Sequence, residues 1–177
     1  YWIFKIIDYC SNKLLMNFFI TGATSGLGRL LLERLLRNSN YNFFLISRNK
    51  EELRVIKENY PSTNIYHADL SDLNKTKEMA NKIVEESGSK VDVFICNAAE
   101  GSFGSLSDVP TENFIKNINV NYLSHLILIK TFYPLMLSKN FGHIINISSG
   151  AAVFGLKNTS SYSASKSSIQ NLIEAIY

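Results

Sequence analysis

Short apolar runs alternate with amphipathic stretches along the chain from Met16 onward. The runs are rich in Phe, Ile and Val and are bounded by polar or glycine residues, which is typical of buried strands. Because a helical stretch separates each pair of successive runs, the pattern predicts a parallel sheet covered by helices on both faces. The predicted strands are residues 17–21, 41–47, 64–68, 91–96 and 143–148.

The stretches between the runs carry apolar residues at helical spacing. Pro61 lies beyond the end of the second helix, and we expect Ser71 to cap the third, which Gly88 follows. Pro134 marks a kink or the last turns of a long fourth helix. The predicted helices are residues 26–38, 49–60, 71–87, 111–139 and a last one that begins near Ser160 and runs to the end.

The composition agrees with one globular α/β domain: 177 residues, 46% hydrophobic and 19% charged. The net charge of +3 is spread along the chain, so no basic block indicates nucleic-acid binding. Asn, Ser and Thr interrupt the longest uncharged stretches, and we predict no membrane span. Cys10 and Cys96 lie far apart without metal-ligand spacing, so we predict no metal site, and a reducing, cytoplasmic location.

The first 15 residues, YWIFKIIDYCSNKLL, do not begin with Met and are apolar and aromatic. Lys5 and Asp8 interrupt the stretch and no small-residue cleavage site follows, which disfavours a signal peptide. We expect residues 1–15 to be an upstream translated or non-native extension, and residues 16–177 to form the domain. A packing segment and a membrane-surface anchor are the alternatives for residues 1–15.

A glycine-rich loop, TGATSGLG at residues 21–28, follows the first strand and opens the first helix. A dinucleotide pyrophosphate would bind there, against the free N–H groups and positive end of the helix. Gly22 permits the tight turn, Gly26 lets the backbone approach the phosphates, and Gly28 lets helix and strand pack closely. A plain strand–helix turn is the alternative, and the lack of GK[ST] disfavours a P-loop nucleotidase.

The second strand ends at Ser47-Arg48, where an acidic side chain would bind the ribose 2′-hydroxyl of NAD. An arginine can instead pair with a 2′-phosphate through its planar fork. We therefore predict NADP as the preferred cofactor, with NAD as the alternative. A solvated residue at the start of a helix is the other interpretation of Arg48, and the glycine loop adds no second basic residue.

Two residues of the last helix, Tyr162 and Lys166, have a spacing that indicates chemistry: at i and i+4 they share one face. A nearby ammonium favours a tyrosinate, so Tyr162 could exchange a proton with a carbonyl or alcohol oxygen. Ser149, at the end of strand five, could hydrogen-bond the same oxygen. Ser148 is its rival, and the thirteen-residue offset of Ser149 from Tyr162 is the one that the family resemblance described below implies. An exposed helix face and a turn serine are the alternatives.

Taken together, the motifs resemble the short-chain dehydrogenase/reductase family from about Met16 to the last residue. The parts that carry the resemblance are TGATSGLG, Asp69-Leu70, CNAA at 96–99, VNYLSH at 120–125, and the Ser149, Tyr162 and Lys166 set. The resemblance implies a Rossmann fold, a doubly wound parallel sheet of order 3-2-1-4-5. The implied cofactor contacts are Gly22, Thr24, Ser25, Gly26, Leu27, Gly28, Ser47, Arg48, Asp69, Leu70, Asn97, Ala98, Ala99, Tyr162 and Lys166.

The resemblance also implies that Asn121 completes a proton relay and that Lys166 contacts the nicotinamide ribose. Asn119 is the runner-up for Asn121, and Asn117 is interpreted as a surface residue. In CNAA, Ala99 and Cys96 replace the glycine and the first asparagine of the family's usual NNAG. The sequence has no paired-histidine zinc motif, and we interpret as structural all three histidines, His67, His125 and His143.

Members of the family usually continue past the Tyr-Lys helix with further strands and a lid over the substrate. This sequence ends inside that helix without a stop signal, so we expect a fragment that lacks the C-terminal strands and is by itself poorly stable and nearly inactive. For the full-length protein the resemblance implies a homo-oligomer, and the charge and hydropathy patterns predict neither a nucleic-acid nor a membrane partner.

The implied function is NAD(P)-dependent interconversion of an alcohol and a ketone or aldehyde, with a small-molecule substrate that the sequence does not identify. A non-catalytic NADP-binding sensor or subunit is the alternative. A sugar-nucleotide epimerase or dehydratase is disfavoured, because those relatives use GxxGxxG.

Overall fold

The computed structural model describes residues 15–37 and 40–176. The strands of this part are β1 (Met16–Thr21), β2 (Tyr41–Ser47), β3 (Asn64–His67), β4 (Val93–Cys96) and β5 (His143–Asn146). The α-helices are α1 (Gly26–Leu35), α2 (Lys50–Asn59), α3 (Leu73–Glu86), α4 (Thr111–Ile118), α5 (Ser124–Ser138) and α6 (Ser160–Ala175). A π-helical segment (Asn119–Leu123) joins α4 to α5, and a 3₁₀ turn (Gly150–Ala152) lies between β5 and α6.

All five strands pair in parallel, in the order β3-β2-β1-β4-β5, which confirms the predicted doubly wound α/β sheet. Thr21 is in register with Ile46, and Cys96 with Asn146, so the C-terminal ends of these strands meet along one edge of the sheet. The strand order reverses beside β1. Open sheets of this kind bind ligands at that place.

Apolar side chains fill both faces of the sheet, because successive strand residues point to opposite sides. On one face, Phe19 stacks on Phe44 with ring centroids 4.5 Å apart, and both pack near Phe132 of α5. On the other face, Phe18 of β1 packs in a second cluster with Leu32 of α1. The sheet is thus packed between two layers of helices, and these layers fix the positions of the strand ends.

β4 begins at Val93, two residues later than predicted. The reason is a side chain that replaces part of the ladder: the Asp92 carboxylate accepts a hydrogen bond from the backbone N–H of Asn17 at 2.9 Å. β3 and β5 end one and two residues earlier than predicted, at His67 and Asn146. The shortened strands still pair in parallel with their neighbours, β3 with β2, β4 with β1 and β5 with β4.

The predicted cap of the third helix is wrong by one residue. The carboxylate of Asp72, not the hydroxyl of Ser71, accepts from the backbone N–H of Lys75 at 3.0 Å at the start of α3. Ser71 instead donates its hydroxyl proton to Asp69 at 2.8 Å. Gly88 follows the end of α3 with a left-handed φ of 61°, as expected of a helix-terminating glycine.

The predicted long helix 111–139 is interrupted by the π-helical segment. The carbonyl of Asn121, in the middle of this segment, accepts a hydrogen bond from the ring of His125 at 3.3 Å. A side chain that enters the helical ladder is a recognised cause of such breaks. Pro134 lies inside α5, which continues to Ser138.

The predicted N-terminal extension, residues 1–15, lies outside the described residues except for the exposed Leu15. None of the helices in the described part of the chain has the length and apolar character that a membrane crossing requires.

Candidate active site

A cleft of about 430 Å³ opens at the C-terminal ends of β1 to β4. Twelve of the fifteen predicted cofactor residues line it: Gly22, Thr24, Ser25, Leu27, Gly28, Ser47, Arg48, Asp69, Leu70, Asn97, Ala98 and Ala99. The other three, Gly26, Tyr162 and Lys166, do not contribute to its walls. Glu100, which the sequence did not indicate, does. No local pattern marks Glu100, because its partners come from distant parts of the chain.

The glycine loop has the shape that a pyrophosphate needs. Gly22 and Gly26 have left-handed φ values of 69° and 51°, which favour glycine. A Cβ on Gly28 would lie 2.2 Å from the carbonyl oxygen of Gly22, whereas a Cβ on Gly26 would meet open space. At the start of α1, Ser25 makes no capping hydrogen bond and the first turn carries no acidic residue. The helix therefore presents N–H groups to an anion, and the residues fit a dinucleotide.

The turn after β4 is bound to the end of β1. The side-chain amide of Asn97 donates to the carbonyl oxygens of Thr21 and Gly22, each at 3.0 Å. In return, the Thr21 hydroxyl accepts from the backbone N–H groups of Asn97 and Ala98, also at 3.0 Å. The hydroxyl of Thr21 is thus an anchor of the site, a role that sequence reasoning missed although the residue opens the glycine loop.

His125 extends this network into the π-helical segment. Its Nε2 lies 2.9 Å from the Thr21 hydroxyl, and its Nδ1 lies 3.3 Å from the carbonyl oxygen of Asn121. Since a carbonyl only accepts, Nδ1 is the donor and Nε2 accepts from Thr21. Burial, with a smaller contribution from the charge of Lys166, lowers the pKa of His125 to about 4. The ring is therefore neutral at physiological pH.

Four charged side chains cluster near the end of β2. Arg48 forms an ion pair with Glu100 at 2.8 Å, and Lys116 of α4 forms a second one with the same carboxylate at 2.6 Å. Asp69 accepts two hydrogen bonds from Ser71, and these hold the pKa of its carboxyl below the usual range. The nearby charges of Lys116 and Arg48 act in the same direction. This end of the cleft is therefore lined by one cation and two carboxylates, and Lys116 supplies a second cation from outside the lining.

Tyr162 and Lys166 lie one turn apart on α6. The Nζ atom of Lys166 is 6.0 Å from the centroid of the Tyr162 ring, and it donates to the carbonyl oxygen of Ile147 at 2.8 Å. The Lys166 side chain is only 3% exposed, and this burial lowers its pKa. The lysine thus connects the chain just after β5 to the face of α6 that carries the tyrosine.

Ser149 lies three residues beyond the end of β5, not at the strand end. Its Oγ accepts from the backbone N–H of Ala151 at 3.2 Å and caps the 3₁₀ turn, which packs against α6. Ser148 is exposed, and its hydroxyl donates to Gln170 at 2.6 Å. The two candidate serines therefore occupy different environments, and only Ser149 begins the turn that contacts the helix of Tyr162.

Asn121 is almost fully buried and binds two other parts of the site. Its Nδ2 donates to the carbonyl oxygen of Glu100 at 2.7 Å and to the hydroxyl of Ser165 on α6 at 2.8 Å. Its Oδ1 accepts from the backbone N–H of Glu100 at 2.7 Å. The runner-up, Asn119, donates instead to the carbonyl oxygen of Ser71 at 3.2 Å.

The interpretation of Asn117 as a surface residue is wrong. Its side chain is fully buried between α4 and α6, and its Nδ2 donates to the hydroxyl of Ser161 at 2.8 Å. Polarity alone does not indicate exposure when a partner helix supplies a hydrogen-bond acceptor. Asn117 therefore anchors α6 one residue before Tyr162.

The surface beside Tyr162 is apolar. The rings of Phe103 and Tyr162 lie 5.8 Å apart, and Phe103 remains 67% exposed. A hydrogen bond from the Gly104 N–H to the Asn158 carbonyl, 2.9 Å, joins this loop to the segment before α6. That segment carries three further exposed apolar side chains, Val153, Phe154 and Leu156.

The comparisons with known proteins agree with this architecture. A family model described as short chain dehydrogenase matches residues 17–177. The sepiapterin reductase of Chlorobaculum tepidum is 30% identical over 167 residues, which cover 89% of this chain and 68% of that protein. Other curated relatives are matched over only 48–56% of their length, so the chain spans about half of them.

Among solved structures, a metagenomic short-chain oxidoreductase in complex with NADP has a TM-score of 0.84 and 27% identity, with 92% of this chain and 76% of that chain covered. An NAD⁺-bound xylitol dehydrogenase has a TM-score of 0.81 and 25% identity, over 93% of this chain and 65% of that one. Proteins with this fold are thus known with either dinucleotide.

Proposed function

Because the chain belongs to the short-chain dehydrogenase family, we propose that the protein is an NAD(P)-dependent oxidoreductase that interconverts an alcohol and a ketone or aldehyde. The observation that carries this proposal is the position of Lys166. Its buried ammonium lies one turn from Tyr162 and donates to Ile147, two residues before Ser149. The three side chains proposed for the reaction thus come from two segments that contact each other: Ser149 from the 3₁₀ turn after β5, and Tyr162 and Lys166 from α6.

The proposed roles follow from the chemistry of each group. When bound, the nicotinamide supplies or accepts the hydride. The Tyr162 hydroxyl gives its proton to the carbonyl oxygen in reduction and receives it back in oxidation. The Ser149 hydroxyl donates a hydrogen bond to the same oxygen and stabilises its developing charge. The ammonium of Lys166 favours the ionised form of Tyr162 when the proton has left.

Asn121 is proposed as a supporting residue. It has no charge to contribute, but its hydrogen bonds join the turn after β4 to Ser165, which lies between Tyr162 and Lys166 in the sequence. Through these bonds it orients the helix that carries the proposed proton donor. In addition, we propose that Asn121 takes part in the proton relay that the family resemblance implies.

The proposed cofactor is NADP in preference to NAD, since Arg48 lines the cleft at the end of β2 and can bind a 2′-phosphate with its planar fork. The glycine loop and the N-terminus of α1 would hold the pyrophosphate. Asp69 and Leu70 would lie beside the adenine. The exposed apolar side chains near Tyr162 favour a substrate with an apolar group next to its carbonyl.

The whole protein is proposed to be a cytoplasmic homo-oligomer, with α5, α6 and the helix α4 as the contact surfaces that the family resemblance implies. Gel filtration with light scattering would test the oligomeric state. A monomer at all concentrations would contradict that part of the proposal and leave the proposed chemistry unaffected.

The test of the reaction uses the complete natural chain that contains residues 16–177. NADPH and NADH are each supplied with a panel of apolar ketones and aldehydes, and the absorbance of the reduced nicotinamide is followed. Binding of each dinucleotide is measured separately by its fluorescence. Turnover with at least one carbonyl compound is expected. Tight dinucleotide binding without turnover of any of these carbonyl compounds would favour the non-catalytic NADP-binding protein.

A further inference from the structure

The carboxylate of Glu100 holds two cations at the wall of the cleft. Its Oε2 accepts from Arg48 at 2.8 Å, and its Oε1 accepts from Lys116 at 2.6 Å. Arg48 follows β2 and Glu100 follows β4, while β1 lies between these strands in the sheet. The ion pair of Arg48 and Glu100 therefore joins two loops on either side of the glycine-rich loop.

Glu100 is the fixed member of this pair, and Arg48 is the movable one. Both backbone polar groups of Glu100 bind the side chain of Asn121 at 2.7 Å, and the Glu100 side chain is only 22% exposed. The Arg48 side chain is 64% exposed. A ligand that competes for the guanidinium would therefore move Arg48, while the carboxylate stays near the wall of the cleft.

Both members of the pair line the same cleft, so any ligand that fills it meets this charge arrangement. Glu100 already binds the Nη1 atom of the Arg48 guanidinium, so a 2′-phosphate must share the guanidinium with the carboxylate or displace it, and in either case it lies near that negative charge. A ribose 2′-hydroxyl carries no charge and meets neither penalty. The carboxylate thus opposes the phosphorylated cofactor selectively.

We propose that Glu100 is a specificity-determining residue for the cofactor, which lowers the preference for NADP over NAD by holding Arg48 in an ion pair. This inference rests on the proposed function only in that the cleft binds a nicotinamide dinucleotide. It deepens the assignment of Arg48: the arginine favours NADP, and Glu100 sets how strongly. The effect of Glu100 on the preference for NADP over NAD is modest, because water screens an ion pair whose guanidinium is exposed.

The test is the substitution Glu100→Gln in the complete natural chain, which keeps the size of the side chain and removes its charge. Dissociation constants are measured by fluorescence for NADPH and NADH, and by calorimetry for adenosine 2′,5′-bisphosphate and 5′-AMP. We expect NADPH and the bisphosphate to bind about fivefold more tightly. NADH and 5′-AMP should change by less than about twofold.

A matched control is Glu58→Gln at the far end of α2. Glu58 also pairs with an exposed arginine, Arg54, at 3.3 Å, but outside the cleft. Removal of this charge should leave both dissociation constants unchanged. Glu100→Ala serves as a second variant, because the bonds of Asn121 to the Glu100 backbone do not depend on its side chain. Like Glu100→Gln, this variant should lower the dissociation constant of NADPH relative to that of NADH.

The decisive comparison repeats Glu100→Gln in an Arg48→Gln background. If the carboxylate acts mainly by holding the guanidinium, most of the gain for NADPH disappears there, and only the part that comes from direct repulsion of the phosphate by the carboxylate remains. A gain of full size in that background, or an unchanged ratio in the wild-type background, would overturn the inference. Failure of the proposed reaction has a different signature, since it leaves dinucleotide binding intact and abolishes only turnover. A wild-type protein that binds no dinucleotide would overturn both.

Discussion

The side chain of Asn121 pairs with both backbone polar groups of Glu100: Oδ1 accepts from the N–H, and Nδ2 donates to the carbonyl, each at 2.7 Å. Beyond the end of β4, the side-chain amide of Asn121 thus provides the backbone of Glu100 with the hydrogen bonds that a neighbouring strand would otherwise make. Because Asn121 lies in the π-helical segment, this contact connects the cofactor side of the cleft to the helix packed against α6.

Asn121→Ala should destabilise the protein by about 2 kcal/mol, because it leaves two partly buried backbone groups without partners. The change is read from the midpoint of urea unfolding of the complete chain. Asn119→Ala is the control: it removes one bond of 3.2 Å to the Ser71 carbonyl, and should cost less than about 1 kcal/mol. Equal midpoints for the two variants would contradict the importance given to Asn121.

The two glycines Gly26 and Gly28 should respond differently to alanine. In Gly28→Ala the new methyl would lie 2.2 Å from the Gly22 carbonyl oxygen, and we expect a loss of about 3 kcal/mol of stability or more. In Gly26→Ala the methyl has space, and only the left-handed φ of 51° costs about 1 kcal/mol. Thermal unfolding of the two variants measures both losses of stability.

Gly26→Ala should instead weaken the binding of dinucleotides by about tenfold if, as proposed for the glycine loop, the pyrophosphate lies against the backbone at this position, where a methyl group would hinder its approach. Fluorescence titration with NADPH gives this value. Normal affinity in a folded Gly26→Ala protein would show that the pyrophosphate does not contact this part of the loop.

Tyr162→Phe should lower kcat at least about 100-fold, because the variant has no proton to exchange with the substrate oxygen. NADPH binding should stay nearly intact. The control is Tyr60→Phe, which changes an exposed tyrosine at the end of α2 and should leave kcat unchanged. A Tyr162→Phe protein that keeps most of its activity would refute the proposed mechanism.

Stability should depend on pH through His125. Its pKa is about 4 in the folded protein against an ordinary value of 6.5, so the unfolded chain binds an extra proton between these values. The contribution of this histidine is therefore complete above pH 6.5 and is lost as the pH falls through 4. The loss amounts to about 3 kcal/mol.

Urea unfolding at a series of pH values measures the slope of the free energy of unfolding against pH. His125→Gln should remove it, whatever the effect of the substitution on stability at neutral pH. His67→Gln, which changes an exposed histidine at the end of β3, should leave the slope unchanged. A wild-type slope in His125→Gln would assign the proton uptake to another group.

Local patterns were sufficient for the strands and for the glycine loop. The run YNFFLIS predicted β2 with its bounds, because an apolar segment of that length between polar residues has few alternatives to a buried strand. The order of the sheet was predicted from the resemblance of several motifs taken together. The boundaries were less certain, as Ser71 shows, since neighbouring polar residues compete for the same cap.

Tertiary contacts decided the features that sequence reasoning missed. Asn117 is polar, yet α6 buries it and supplies Ser161 as a partner. The break at Asn121 depends on the ring of His125, whose other nitrogen needs the Thr21 hydroxyl from β1.

The sequence by itself determined the strands, most of the helices, and the positions of the glycine loop and of the Tyr162–Lys166 pair, because hydrophobic periodicity and helical spacing act over a few residues. Only the tertiary structure decided that the carboxylate of Glu100 holds Arg48 at the cleft. That pairing joins residues 52 positions apart, and its strength depends on burial and on a fixed backbone. Interactions of this kind exist only once the chain has folded.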